Sequence, residues 1–130
     1  MTLLSPDNGR IKLLQFALAN ASPSTYTLHL YKNNYTPSAG SILASFTEST
    51  DASYASITLT GATWTVTANA GVVSGVYPSQ TFTFSGAETL YGYYIQANST
   101  ALWAELFTSP FVMPGGGGNI VINPDISLSN

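Results

Sequence analysis

The conventional catalytic chemistry of this chain comes down to one histidine, six carboxylates and many hydroxyls. His29 has no second histidine and no cysteine with which to share a metal, and the absence of cysteine also removes thiol catalysis and disulfides. A lone imidazole in mid-strand, within "TYTLHLYKNN", reads as a surface or interface residue rather than a general base. Ser and Thr together number 32, yet no G-x-S-x-G elbow occurs, and any triad would have to draw on His29. Paired carboxylates are the remaining hydrolytic route. Asp7 belongs to a helix start, Glu48 and Asp51 to a long connection, and Glu88 to the flank of a turn. Glu105 differs, because the alternation of "LWAELF" sets it between Trp103 and Phe107 on one strand face. There it suits a sugar contact, the polar member of a subunit interface, or an exposed strand residue. Neither Asn123–Asp125 nor Thr47–Asp51 supplies the spaced oxygen donors that calcium requires. The residues therefore assign no catalytic group, no metal site and no cofactor.

Four consecutive glycines, Gly115, Gly116, Gly117 and Gly118, raise the separate question of a phosphate cradle. Such a loop works by opening a helix whose N-terminal amides point at the anion. "PGGGGN" instead opens another strand and lacks a lysine or hydroxyl in the P-loop position. It reads as a connection between strands, lying against a neighbouring surface. Aromatic residues give a richer signal, with Tyr91, Tyr93, Tyr94 and Trp103 in two successive strands. Tyrosine and tryptophan combine large area with few rotatable bonds, which serves sugar stacking and protein contacts alike. Strand alternation commits half of these to the core. The candidate interface is therefore Tyr91, Tyr93, Trp103 and Glu105, together with Gly115–Gly118.

Composition narrows the function classes further. The net charge is −3, and Arg10, Lys12 and Lys32 are the only basic residues, which excludes the cationic patch that nucleic acid demands. No apolar run approaches the roughly 20 residues of a membrane span, and Leu13–Ala19, interrupted by Gln15, fits an amphipathic helix better than a secretory signal. Only 7% of residues are charged, while 45% are hydrophobic. Such a chain folds, and its surface is either neutral and hydroxyl-rich or covered by other copies and partners.

The elements that must position these residues fall into two classes. Ser5 as N-cap, Pro6 at the first helical position and Asp7 in the first turn predict one helix over residues 5–21, stopped near Pro23. Its Ile11, Leu14 and Leu18 form a stripe, broadened by Leu13, Phe16 and Ala17, that is expected to cover an open end or face of the sheets or to dock onto a partner. Residues 25–128 read as β-structure of about eight short strands, with a long connection over Tyr35–Ser53 that includes a possible short strand near Ile42–Phe46. Trp64, Val66, Ile120, Ile122, Ile126 and Leu128 are expected to face inward, and "NST" at Asn98–Thr100 to form a hairpin turn. The expected fold is all-β: a single domain over residues 1–130, an antiparallel two-sheet sandwich, jelly-roll-like, with one N-terminal helix, and a small barrel is the alternative.

The order of these phrases carries a resemblance. "LLQFAL", "YTLHLYKNN", "YASITLTGATWTV", "QTFTF", "LYGYYIQAN", "LWAELF" and the glycine turn before "IVINPDISLS" together resemble small virion structural proteins of tailed phages, including those that infect cyanobacteria. The resemblance implies a non-enzymatic capsid decoration or cement protein on the outer capsid surface of a virion. It further implies a homotrimer that binds the major capsid protein and stabilises the head, without nucleic acid or membrane partners. A fibre-type or lectin-like module that binds host-surface carbohydrate through strand aromatics is the alternative.

Overall fold

The computed structural model describes residues 3–18 and 25–129 of the chain. One helix, α1 (Asp7–Ala17), precedes nine strands: β1 (Tyr26–Tyr31), β2 (Ile57–Leu59), β3 (Thr65–Asn69), β4 (Val72–Val76), β5 (Gln80–Phe84), β6 (Glu88–Ala97), β7 (Thr100–Met113), β8 (Gly118–Ile122) and β9 (Asp125–Ser129). Every strand pairing is antiparallel. A four-stranded sheet has the order β2-β1-β6-β7, a three-stranded sheet the order β3-β4-β9, and β5 pairs with β8. The fold is the all-β antiparallel sandwich with one N-terminal helix that the alternating patterns predict. The ninth strand arises at Asn123–Pro124, where the last apolar stretch divides between two pairings instead of forming one strand. Pro124 cannot donate to a ladder, so a switch between sheets is a natural place for it. Its buried carbonyl accepts from the Tyr77 backbone N–H at 2.9 Å.

The main core lies on one face of the four-stranded sheet, where Leu28, Leu30, Leu90, Tyr93 and Ile95 meet Phe82, Phe84, Ile120 and Ile122 from β5 and β8. Full burial of each such side chain is worth about 1.5–3 kcal/mol. The opposite face is covered as well. There Tyr31, Tyr94, Ala101 and Ala104 pack beneath Phe46 from the long connection. Phe46 lies 5.0 Å from Tyr94, 5.2 Å from Tyr31 and 5.5 Å from Tyr35, centroid to centroid. The face of β1 carrying His29 and Tyr31, which alternation alone leaves hydroxyl-rich and outward, is therefore interior.

A register shift between Leu90 and Gly92 lets Leu90 and Tyr93 share the core face although they are three residues apart. A Cβ on Gly92 would overlap the Glu105 carbonyl and the Tyr31 hydroxyl. Asn98 takes a positive φ of 51° in the two-residue β6–β7 hairpin, confirming the turn at "NST". β7 is an edge strand, which is why it tolerates Pro110.

Several expectations are corrected. Ser5 does not cap α1; Pro6 occupies the N-cap position, and Ser5 Oγ donates to the Leu102 carbonyl at 2.7 Å. The helix is anchored by the Asp7 N–H on the Ala39 carbonyl at 2.9 Å and by Gly9, where a Cβ would come within 2.7 Å of the Ala101 and Leu102 carbonyls. This close approach turns the Ile11–Leu14–Leu18 stripe away from the sheet, leaving those residues 56%, 60% and 70% exposed. Residues 19–24, where the helix stop was expected, lie outside the described residues. The long connection has a 3-10 turn at Leu43–Ser45 in place of a strand. Val66 and Leu128, expected inward, are 67% and 66% exposed.

Candidate functional site

The one histidine is held on every side. His29 is buried, and its ring stacks on Tyr94 at 4.8 Å with 4° between planes. Its Nδ1 lies 2.6 Å from Glu48 Oε1 and its Nε2 lies 2.8 Å from Thr27 Oγ1. A carboxylate accepts only, so Nδ1–H donates to Glu48, and in the neutral ring Nε2 accepts from the Thr27 hydroxyl. The same Glu48 oxygen accepts from the Tyr54 hydroxyl at 3.0 Å, while that hydroxyl accepts from the Leu30 N–H at 3.0 Å. Burial pushes the Tyr54 hydroxyl far above the ordinary tyrosine range, so it stays a donor. Thr27, His29 and Glu48 line up in the order of a hydroxyl–imidazole–carboxylate relay. A relay also needs room for a substrate and donors for an oxyanion. Thr27 instead lies between Thr58 and Gln96 of the flanking strands, and the grooves described here are lined by other residues. Because Glu48 belongs to the long connection, the set works as a clamp that ties this segment onto β1.

A second tie follows directly. Asp51 accepts from the backbone N–H groups of Ser53, Ser85 and Gly86 at 2.8, 2.9 and 3.0 Å. The Ser85 and Ser53 amides hold its carboxyl below the usual aspartate range. Ser49 donates to Glu88, which lies 3.4 Å from Lys32 Nζ. The glycine turn abuts this region. Gly117 has φ +76° and packs so closely on Phe84 that a Cβ would overlap its carbonyl, whereas Gly115 and Gly116 face open space. Two of the four glycines are thus needed by nothing within the chain.

The strand aromatics divide by face. Tyr93 and Glu105 are cross-strand partners, and the buried Tyr93 hydroxyl donates to Glu105 Oε2 at 2.8 Å. Trp103 shares their face of the sheet, half-buried. Tyr91 lies on the other face, packed against the Phe46 cluster. The candidate interface residues therefore do not form one surface: Tyr93 is interior, Tyr91 is opposite, and Gly115–Gly117 lie in the β7–β8 turn with Gly118 opening β8.

The largest departure from a closed sandwich is the β3-β4-β9 sheet, termed the wing here. Its register places Val66, Ala68, Val73, Gly75, Ile126 and Leu128 on one face. Where that face approaches the body, an apolar groove of about 210 Å³ opens between the wing and Trp64, Trp103 and Tyr26. A second groove, of about 380 Å³, continues past Trp103 and Leu128 to Leu3, Leu4 and Arg10. Trp64 Nε1 is buried without a hydrogen-bond partner, and its indole meets the Tyr77 ring at 5.1 Å. The 36 residues from Ala52 to Ala87, which include β3, β4 and the groove's Trp64, contain no charged side chain. That run and the Val–Ala, Val–Gly and Ile–Leu alternations are the sequence signals that could have located the groove. Aromatic density pointed instead to β6 and β7.

No protein-family model, curated protein or solved structure matches the chain. Among the described residues there is no cluster of three potential metal-ligating side chains, and no helix long and apolar enough to cross a membrane.

Proposed function

We propose that the chain is a non-enzymatic structural protein that assembles with copies of itself, in the role its sequence resemblance implies. That role is a capsid decoration or cement protein, trimeric, bound to the major capsid protein on the outer surface of a virion. The observation that carries the reading is the wing: a three-stranded sheet with Asp125 as its one charged residue, whose apolar face is left largely uncovered by the described residues. Exposed apolar area of this kind marks an interaction surface. The engagement of both His29 nitrogens by Glu48 and Thr27 supports a structural rather than catalytic use of the only imidazole.

The carbohydrate-binding alternative draws less support. Tyr93 is buried and bonded, and the groove of about 210 Å³ between Trp64 and Trp103 is walled by apolar side chains. Sugar hydroxyls placed there would lose water without gaining partners. The test is binding of the purified protein to particles lacking it, read as stoichiometric incorporation and a rise in the heat resistance of the particles. Absence from purified particles, or selective retention on a glycan array that is lost on Trp103→Ala, overturns the proposal.

A further inference from the structure

Among the described residues, two apolar surfaces of opposite shape have no partner. One is convex: Ile11, Leu14 and Leu18 lie on one side of α1, while its other side is fixed to β7 through Gly9. The other is the concave groove between Trp64 and Trp103. The close packing of Gly9 on the Ala101 and Leu102 carbonyls points the stripe away from its own sheet, so α1 cannot fill the groove of its own chain.

The charges match in the same sense. Arg10 pairs with Asp7, Lys32 with Glu88, and His29 with Glu48. Among the described residues this leaves Lys12, beside the stripe, as the cation with no acidic partner; it reaches only Gln15, at 3.4 Å. Of the acids without a basic partner, Glu105 shares a strand face with the groove residue Trp103, whereas Asp125 lies on the wing face opposite to Ile126. Burial first and the hydrogen bond to Glu105 second hold the Tyr93 hydroxyl above the ordinary tyrosine range.

We infer that α1 of one copy lays its Ile11–Leu14–Leu18 stripe into the Trp64–Trp103 groove of a second copy, with Lys12 directed toward Glu105. The inference rests on the self-assembly reading above and names its contact. Because the two halves differ, the contact is head-to-tail, and repeated contacts close into a ring such as a trimer or run on as a filament.

Complementation between broken halves tests it. Leu14→Asp spoils the stripe at an exposed position, and Gly75→Leu fills the groove. A Cβ at Gly75 meets Trp64 Cε3 at 3.7 Å and Val66 Cγ2 at 3.9 Å, ordinary contact distances. Val66→Asp, at a 67% exposed position, is the second groove variant should Gly75→Leu lose its native circular dichroism. Each variant alone is expected to associate at least about thirtyfold more weakly than wild type. Mixed one to one, a stripe variant and a groove variant retain one intact contact and are expected to form a heterodimer that goes no further. Lys12→Glu is expected to weaken association about threefold to tenfold at low salt, and 1 M salt to remove most of the difference from wild type. Both tryptophans of the chain line the groove, so their emission is expected to shift to shorter wavelength as wild type associates and to stay fixed in Leu14→Asp. Variants that assemble like wild type overturn this contact and leave self-assembly standing, as does a mixture that stays monomeric. A wild type that is monomeric at every concentration overturns both.

Discussion

Around His29, every polar group has a partner and every ring has a neighbour. Around Val73, the backbone is paired within the wing but the side chains face solvent. The first region holds Lys32, Glu48, Asp51 and Glu88, each tied to the sheet or to the β5–β6 turn. The second is uncharged from Ala52 to Ala87. Four of the nine charged side chains fix one long connection, and none lies on β3 or β4, where charge would ordinarily protect an exposed edge or patch. The sparse charge is segregated. A body closed by hydrogen bonds supports a wing left open for apolar contact.

Substitutions that probe the two regions in the same way should give opposite answers. The largest contrast is between two glycines. Gly92→Ala forces a methyl into the Glu105 carbonyl and the Tyr31 hydroxyl, and is expected to cost about 3 kcal/mol or more, seen as a collapse of the urea midpoint. Gly75→Ala in the wing meets only ordinary contacts and is expected to change stability by less than about 1 kcal/mol. Next comes the clamp. Glu48→Ala strands the His29 Nδ1–H and the Tyr54 hydroxyl, with an expected loss of about 1–3 kcal/mol in chemical denaturation.

Asp51 gives a smaller effect with a pH signature. Its folded carboxyl titrates below its ordinary value of 3.8, so its contribution is present above that value and is lost as pH falls through the folded one. Wild type and Asp51→Asn are therefore expected to differ in thermal midpoint at pH 6 and to converge in strong acid. Parallel curves down to pH 2 would show that the Asp51 ties do not depend on its charge. The smallest effect on folding belongs to the wing: Val66→Asp is expected to alter stability by no more than about 0.5 kcal/mol while abolishing association. A large destabilisation there would make the wing part of the core and erase the comparison.

The parts legible in the sequence are those that local pattern controls. Alternation in "YTLHLY" and "QTFTF" located β1 and β5 with their core faces, and "NST" marked a hairpin that the positive φ of Asn98 completes. What escaped depends on contacts distant along the chain. His29 looked exposed because its face is covered by Phe46 and Glu48, from a connection with no periodicity of its own. The α1 stripe looked like a sheet-covering surface because apolar spacing gives a face and not its direction; Gly9 sets the direction by close approach to Ala101 and Leu102. Tyr91 and Tyr93 suggested one aromatic surface, but the shift between Leu90 and Gly92 and the opposite facing of neighbouring residues separate them. Val66 and Leu128 alternate as core residues do, and no local signal records that the body ends before it covers them.

The most direct measurement is sedimentation equilibrium of the wild-type chain at low salt and in 1 M salt. One discrete homo-oligomer is expected, a trimer at three times the 13.7 kDa chain mass. Its association should weaken only slightly in high salt, because apolar burial across the wing and α1 stripe dominates and the Lys12 contact is a minor term. A single 13.7 kDa species across the accessible concentration range would contradict the claim that the wing exists to be covered by another copy.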